Sequence, residues 1–311
     1  MSEAVITARG LRKSYGELEA VRGIDLEVRR GEVFAFLGPN GAGKTSTTEI
    51  LEGYRRPSAG EIAVLGEDPG RAGRAWKERI GIVLQQNKLD PYLTVRESLA
   101  LYAGYFRSPR PVDEVIELVG LSGKADQRTS KLSGGQQRRL DVGIALVGDP
   151  ELLFLDEPTT GFDPSARRHA WRVISGLRDL GKTIFLTTHY MDEAQFLADR
   201  AAIIVGGRII AEGRPDQLGR ETGADTEIRF RLPAGTDRNE LPLPTLADNG
   251  DLGARGDRMV TIRTGEPVRA LNELTSWALR EGVELVGLDV GRPSLEEVYL
   301  ELTGGAAGED S

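Results

Sequence analysis

The chain has 311 residues, room for one large domain and a smaller companion. Hydrophobic residues make up 39% and charged residues 28%, so it can bury a real core and is not a disordered chain. It has no cysteine and only two histidines, which excludes disulfides, thiolate metal sites and a cysteine nucleophile; the net charge of −8 argues against nucleic acid as a partner.

Residues 1–4 lack the basic and apolar regions of a secretory leader, and no apolar run approaches the ~18 residues of a membrane span. A soluble protein is expected, with any membrane role left to a separate chain. In chain order, strands are expected at residues 4–8, 24–28 and 33–37. The last reads Val-Phe-Ala-Phe-Leu, apolar without alternation, as in a strand buried on both faces. A glycine-rich loop and a helix at 45–51 follow. Next come a strand at 79–84 and helices at 94–106, 112–119 and 137–147. A second short apolar strand lies at 152–155. A helix at 165–180, a strand at 183–187, a helix at 191–198 and a hairpin at 201–211 turning on Gly206 and Gly207 complete the series. Strands alternating with helices predict an α/β domain over residues 1–220 with a mostly parallel sheet. Beyond it the composition shifts. Strands at 227–232, 259–263 and 283–290, helices at 268–280 and 295–302, and a loop over 233–257 predict a small α+β domain over 221–303. A disordered tail is expected at 304–311.

The loop after the third strand reads Gly38-Pro39-Asn40-Gly41-Ala42-Gly43-Lys44-Thr45-Ser46 and fits G-x-x-x-x-G-K-[ST]. Glycines let backbone N–H groups point at phosphate oxygens, and the following helix offers its positive end to the same anion. Lys44 then neutralises the β- and γ-phosphates, and Thr45 holds Mg²⁺ through its hydroxyl. Asn87-Lys88-Leu89-Asp90 imitates a guanine-reading motif, but the aspartate that a GTPase requires before it is missing: Asp68 leads into Pro69-Gly70-Arg71. Leu132-Ser133-Gly134-Gly135-Gln136 opens another helix and makes a second anion site. One γ-phosphate does not need two sites in one chain, so this one is expected to complete a site on another copy. The competing reading is a glycine turn with a serine cap. Asp156 ends a buried strand, where it can hold Mg²⁺ through water, and Glu157 comes next, where it can polarise an attacking water.

With these motifs in this order, residues 4–220 resemble an ATP-binding cassette (ABC) transporter ATPase. The resemblance implies a P-loop ABC ATPase domain with a helical subdomain at about 86–148. It implies Lys44 and Thr45 as Walker A residues, with Gly38, Asn40, Gly41, Gly43 and Ser46 around the phosphates, and Asp156 and Glu157 as Walker B and catalytic glutamate. Gln85, or Gln86 if the register slips, becomes the Q-loop glutamine that touches Mg²⁺. Ser133 and Gly135 carry the signature, Asp163 is the D-loop aspartate, His189 the switch histidine, and Tyr15 the aromatic that stacks on adenine. Phe162 departs from the usual leucine. The terminal run from Pro293 to Thr303 and the stretch from Phe185 to Ala194 resemble daunorubicin-resistance-type exporter ATPases.

The resemblance further implies an ATPase using ATP and Mg²⁺, forming a homodimer around two ATP molecules. It would sit peripherally on the cytoplasmic face of the cell membrane and drive export of a drug-like or lipid-like molecule through a separate transmembrane permease. A regulatory ATPase without transport, or export of ions or polysaccharide, is the alternative. In this family the region after the Q-loop receives the permease, which makes Tyr92, Tyr102, Tyr105 and Phe106 candidate docking residues, with core packing as the competing fate.

Overall fold

The computed structural model describes residues 3–84, 89–218, 226–233, 236, 241–242, 247–252 and 258–291. The chain divides into two compact units, Met1–Pro215 and Asp216–Ser311. The first unit contains a six-stranded sheet in the order β5-β6-β7-β3-β8-β9. Its strands are β3 (Val33–Leu37), β5 (Ile80–Val83), β6 (Leu152–Asp156), β7 (Thr183–Thr188), β8 (Arg200–Val205) and β9 (Arg208–Gly213). All neighbours are parallel except the β8–β9 hairpin.

The unbroken apolar strands have a simple cause. Leu153 and Leu155 of β6 face a core built with helices α3 (Val95–Ala103), α4 (Val112–Leu118), α5 (Gly134–Leu146) and α6 (Pro164–Asp179). Leu152 and Phe154 face the opposite core, with Phe34, Phe36 and Phe185. Each strand is thus covered on both sides, and the alternation that marks a half-exposed strand has no reason to appear. Phe185 sits amid the other three rings, with centroids 5.7–6.0 Å away.

A second sheet was not foreseen from the sequence. β1 (Ala4–Tyr15) pairs antiparallel with β2 (Leu18–Arg29) and β4 (Ala59–Val64). The first two are more than twice the predicted length. Gly10, the exposed basic residues of β1 and several register irregularities hide the period-2 signal. Helix α3 starts where Thr94 forms a reciprocal capping box with Glu97, and it ends earlier than expected. Helix α1 (Lys44–Leu51) succeeds the glycine-rich loop, α2 (Arg74–Lys77) is a single turn, and α7 (Met191–Leu197) comes after β7. Among the described residues no helix is long and apolar enough to cross a membrane.

The second unit is a four-stranded antiparallel sheet in the order β11-β12-β10-β13, from β10 (Thr226–Leu232), β11 (Ala247–Leu252), β12 (Arg258–Thr264) and β13 (Val286–Gly291). Helix α8 (Pro267–Glu281) packs Ala270, Leu274, Trp277 and Ala278 against Ile228, Phe230, Val260 and Ile262. β11 falls inside the stretch expected to be loop. Its Ala-Asp-Asn-Gly-Asp-Leu sequence has turn-forming composition, and pairing with β12 overrides that local preference. The helix expected at 295–302 and the tail at 304–311 lie outside the described residues.

Candidate functional site

Three neighbouring parallel strands end side by side: Asp156 of β6 is opposite Thr187 of β7, and Leu37 of β3 is opposite Thr188. Ligands of open α/β sheets gather at such carboxyl ends. The glycine-rich loop leaves β3 there. Two of its glycines are forced by space: a Cβ on Gly38 would lie 2.3 Å from the Ile204 carbonyl, and one on Gly43, at φ +106°, 2.5 Å from that of Ala20. Asn40, Gly41 and Thr45 are exposed and Ser46 half-buried.

Lys44 opens α1 and is buried. Its Nζ donates to the carbonyls of Gly38 at 2.6 Å and Pro39 at 3.1 Å. Burial pushes its pKa down, while the charges of Glu157 and Asp156 oppose that shift. Glu157 Oε1 lies 3.8 Å from Lys44 Nζ and 3.3 Å from His189 Nδ1. The glutamate takes a left-handed backbone, φ +44°, rare outside glycine. Thr187 holds that turn: its carbonyl and Oγ1 both accept from the Glu157 N–H, at 3.1 and 3.0 Å. Its hydroxyl also donates to Asp156 Oδ1. Thr160 donates to Glu157 Oε2 at 3.0 Å.

Lys44, Asp156, Glu157 and His189 are therefore brought together. Tyr15 joins α1 through its hydroxyl, 3.2 Å from Ser46 Oγ, and Lys13 and Arg55 stand over its ring at 5.1 and 5.6 Å. Ser133 and Asp163 make their contacts at the starts of their own helices. Ser133 caps α5 in a reciprocal box with Gln136. Asp163 caps α6 by accepting from Ser165 and Ala166, and those two N–H groups hold its carboxyl below the usual range. Ser133 and Asp163 are exposed, and Gly135 and Phe162 half-buried. Gln85 and Gln86 lie outside the described residues.

Of the aromatic group, Tyr102 and Phe106 line a cleft of about 290 Å³ whose wall includes Glu52 and Ile82. Tyr105 and Tyr92 are far more exposed, at 63% and 78%, and do not line it. Sequence reasoning also missed Thr187 and a buried arginine of α5, Arg138, which donates to the carbonyls of Leu84, Asp156 and Pro158. A signal existed for the second: Arg138 and Asp141 are opposite charges three apart on the helix face that carries Val142 and Ala145, and both are buried.

Comparison with known proteins places this geometry. A family described as ABC transporter matches residues 21–160, and one described as ABC transporter domain-containing protein-like, C-terminal domain, matches residues 226–294. The chain is 38% identical to a daunorubicin resistance ATP-binding protein of Streptomyces coeruleorubidus, over 98% of this chain and 97% of that one. It is 41% identical to a Nod factor export ATP-binding protein of Paraburkholderia xenovorans, over 98% of both. A solved dimeric ATP-binding cassette in a post-hydrolysis state, bound to ADP and Pi, aligns with TM-score 0.60 at 25% identity, over 67% of this chain and 98% of that one.

Proposed function

The chain belongs to the ATP-binding subunits of ABC transporters, ATPases coupled to transport, and from that premise we propose that it powers export of a drug-like or lipid-like molecule through a separate membrane permease. The observation that carries the chemistry is the meeting of Lys44, Glu157 and His189 at the ends of three adjacent strands. The N–H groups of the loop from Gly38 to Gly43 cradle the phosphates, Lys44 neutralises the β- and γ-phosphates, and Ser46 supports them from the first turn of α1. Tyr15 stacks on the adenine. Thr45 and Asp156 offer a hydroxyl and a carboxylate, hard oxygen donors of the kind Mg²⁺ takes, and Gln85 adds an amide oxygen. Bound there, the ion would neutralise charge that builds on the transferred phosphoryl group.

Glu157 accepts a proton from the attacking water as its oxygen bonds to the γ-phosphorus and the bond to the β–γ bridging oxygen breaks. His189, beside the same carboxylate, senses the γ-phosphate. Ser133 and Gly135 serve the nucleotide of a second copy, with Asp163 at that interface, so two ATP molecules hold a head-to-tail dimer. Losing the γ-phosphate weakens that contact and the dimer opens. The relatives named for daunorubicin resistance and Nod factor export support export of an amphipathic small molecule. The chain would act at the cytoplasmic face of the membrane, with Tyr102 and Phe106 in the cleft that meets the permease.

The test is reconstitution with its membrane partner in vesicles, following ATP-dependent movement of a fluorescent anthracycline and of an acylated oligosaccharide. Movement of either, abolished by Glu157→Gln, is expected. ATP hydrolysis that neither cargo stimulates and that moves neither would sink the export reading.

A further inference from the structure

Buried Arg138 of α5 reaches three separate backbone carbonyls. The residue is only 9% exposed. Nε donates to the Pro158 carbonyl at 3.1 Å, Nη2 to that of Asp156 at 2.7 Å and Nη1 to that of Leu84. Those carbonyls belong to the end of β6, the residue after Glu157 and the residue after β5. Two of them flank Glu157. The left-handed turn at Glu157 is therefore pinned from three directions, by Arg138 at the carbonyl on either side and by Thr187 at its N–H. A lone left-handed non-glycine residue costs on the order of 1 kcal/mol, so it persists only where the surroundings fix it.

The same helix has a second job. Ser133, its N-cap, lies five residues before Arg138, or roughly 7.5 Å along the axis at 1.5 Å per residue. Little over a turn of one rigid helix thus separates the signature from the clamp on Glu157. Gly135 adds a close approach, where a Cβ would touch Ala166 of α6 at 3.4 Å. A helix shifted at its N-terminus drags three carbonyls with it, because the planar guanidinium holds them in a fixed fork.

We infer that Arg138 is a positioning residue that sets the Glu157 carboxylate in its own chain and, through α5, ties that setting to the engagement of Ser133 with the second copy's nucleotide. The inference rests on the shared-site dimer proposed above. Each hydrolysis site then depends on two arginines: one holds the general base, and the other, in the facing copy, holds the helix that presents the signature. A lysine does not reproduce this hold, since its three donors radiate from one nitrogen on a flexible stem, whereas Arg138 reaches the three carbonyls with three separate nitrogens of a rigid plane.

The test uses full-length chains with one live site per dimer. A Lys44→Ala chain is mixed with a Ser133→Arg chain. The live site combines Lys44 and Glu157 of the second chain with Ser133 of the first, and single-turnover phosphate release is measured. Arg138→Lys is then added to either chain, with Arg138→Gln as a second variant; melting temperature is measured on each chain alone, and ATP affinity on the Ser133→Arg chain, which keeps Lys44, and at the live site of the mixed dimer. In the chain that supplies Glu157, it should slow turnover at least about tenfold. In the chain that supplies only Ser133, it should slow turnover about threefold or more, with ATP affinity at the live site of the mixed dimer within about twofold. An unchanged rate in the first placement overturns the hold on Glu157; an unchanged rate in the second overturns the tie between sites. Slowing that only tracks lost ATP affinity or lost folded protein makes Arg138 a packing residue and overturns both. The unsubstituted mixed dimer reports separately on the premise: if it releases no phosphate although the chains pair, the shared site itself is wrong.

Discussion

Two glutamates, buried Glu227 in the second unit and half-buried Glu157 in the first, show how the same side chain is used in opposite ways. In the second unit Glu227 of β10 accepts from Arg263 Nε at 2.7 Å and from Arg229 Nε at 2.9 Å, with Arg229 Nη2 on the same oxygen. Its side chain is 5% exposed and both oxygens are held by forked donors at hydrogen-bond distance. In the first unit Glu157 faces Lys44 at 3.8 Å and His189 at 3.3 Å, its Oε2 accepts from the neutral Thr160 hydroxyl at 3.0 Å, and its backbone is held by Thr187. A carboxylate saturated with charge-assisted bonds has little left to offer a reacting proton, and its value is structural. One fixed by its backbone and set 3.8 Å from a lysine, outside hydrogen-bond distance, can take up a proton when water and phosphate arrive.

The widest separation between the two should come from removing each charge. Glu157→Gln is expected to lower ATP hydrolysis by about 10² to 10⁴, the usual worth of a general base, while ATP binding stays within a few-fold. Lys44→Ala should instead lose ATP binding. Phosphate release and equilibrium ATP binding measured on the same preparations decide this, and wild-type hydrolysis by Glu157→Gln would remove Glu157 from the chemistry. Glu227→Ala should do the reverse. Its arginine partners are 29% and 27% exposed, so water relieves part of the loss. The second unit is expected to lose about 2–3 kcal/mol, below the usual range for a fully buried pair. Chemical denaturation followed by Trp277 fluorescence would read it, with ATP affinity unchanged. A variant as stable as the parent would mean that the ion pairs only balance their desolvation.

How much of this was legible depends on what each residue has to satisfy. The glycine-rich loop was readable because Gly38 and Gly43 sit where a Cβ would collide with backbone, so sequence and geometry are the same statement. Strands β3 and β6 were readable because cover on both faces leaves a continuous apolar run. The outer sheet of β1, β2 and β4 was not, since its strands are irregular in register and rich in exposed charge. The site was legible as a set of side chains but not as a held shape. The left-handed turn at Glu157, the two-way grip of Thr187 and the three carbonyls on Arg138 depend on β5, β6, β7 and α5 meeting, and contacts across such sequence distances leave no local pattern.

A third glutamate sharpens the comparison, and its expected effect is the smallest. Glu52, just after α1, is 6% exposed, and its Oε1 has no hydrogen-bond partner among the described residues. It has neither the cations of Glu227 nor the setting of Glu157. Burial, with the nearby Asp156 and Glu49 carboxylates, pushes its pKa from 4.5 up to about 8. The folded chain therefore keeps a proton that the unfolded chain releases between those values. Below pH 4.5 both states hold it and there is no penalty. As pH rises through the window stability falls, and the loss is complete above about 8, where the folded group is ionised too. Glu151 works in the opposite direction and elsewhere: hydrogen bonding from Arg79 and Arg30, against burial, holds it at about 2, and its contribution is lost only as pH falls below 4.5. Glu52→Gln mimics the protonated acid in shape and cannot ionise. Without nucleotide or Mg²⁺, variant and parent should unfold alike near pH 4.5, with the variant gaining steadily to about 1–2 kcal/mol by pH 8, a figure set below the full shift to allow for local relaxation. Urea midpoints across pH 4.5 to 8.5 would show it. A constant gap would mean that Glu52 is already ionised in the folded chain, and a variant that loses ground as pH rises would mean that a partner cation holds the carboxylate charged.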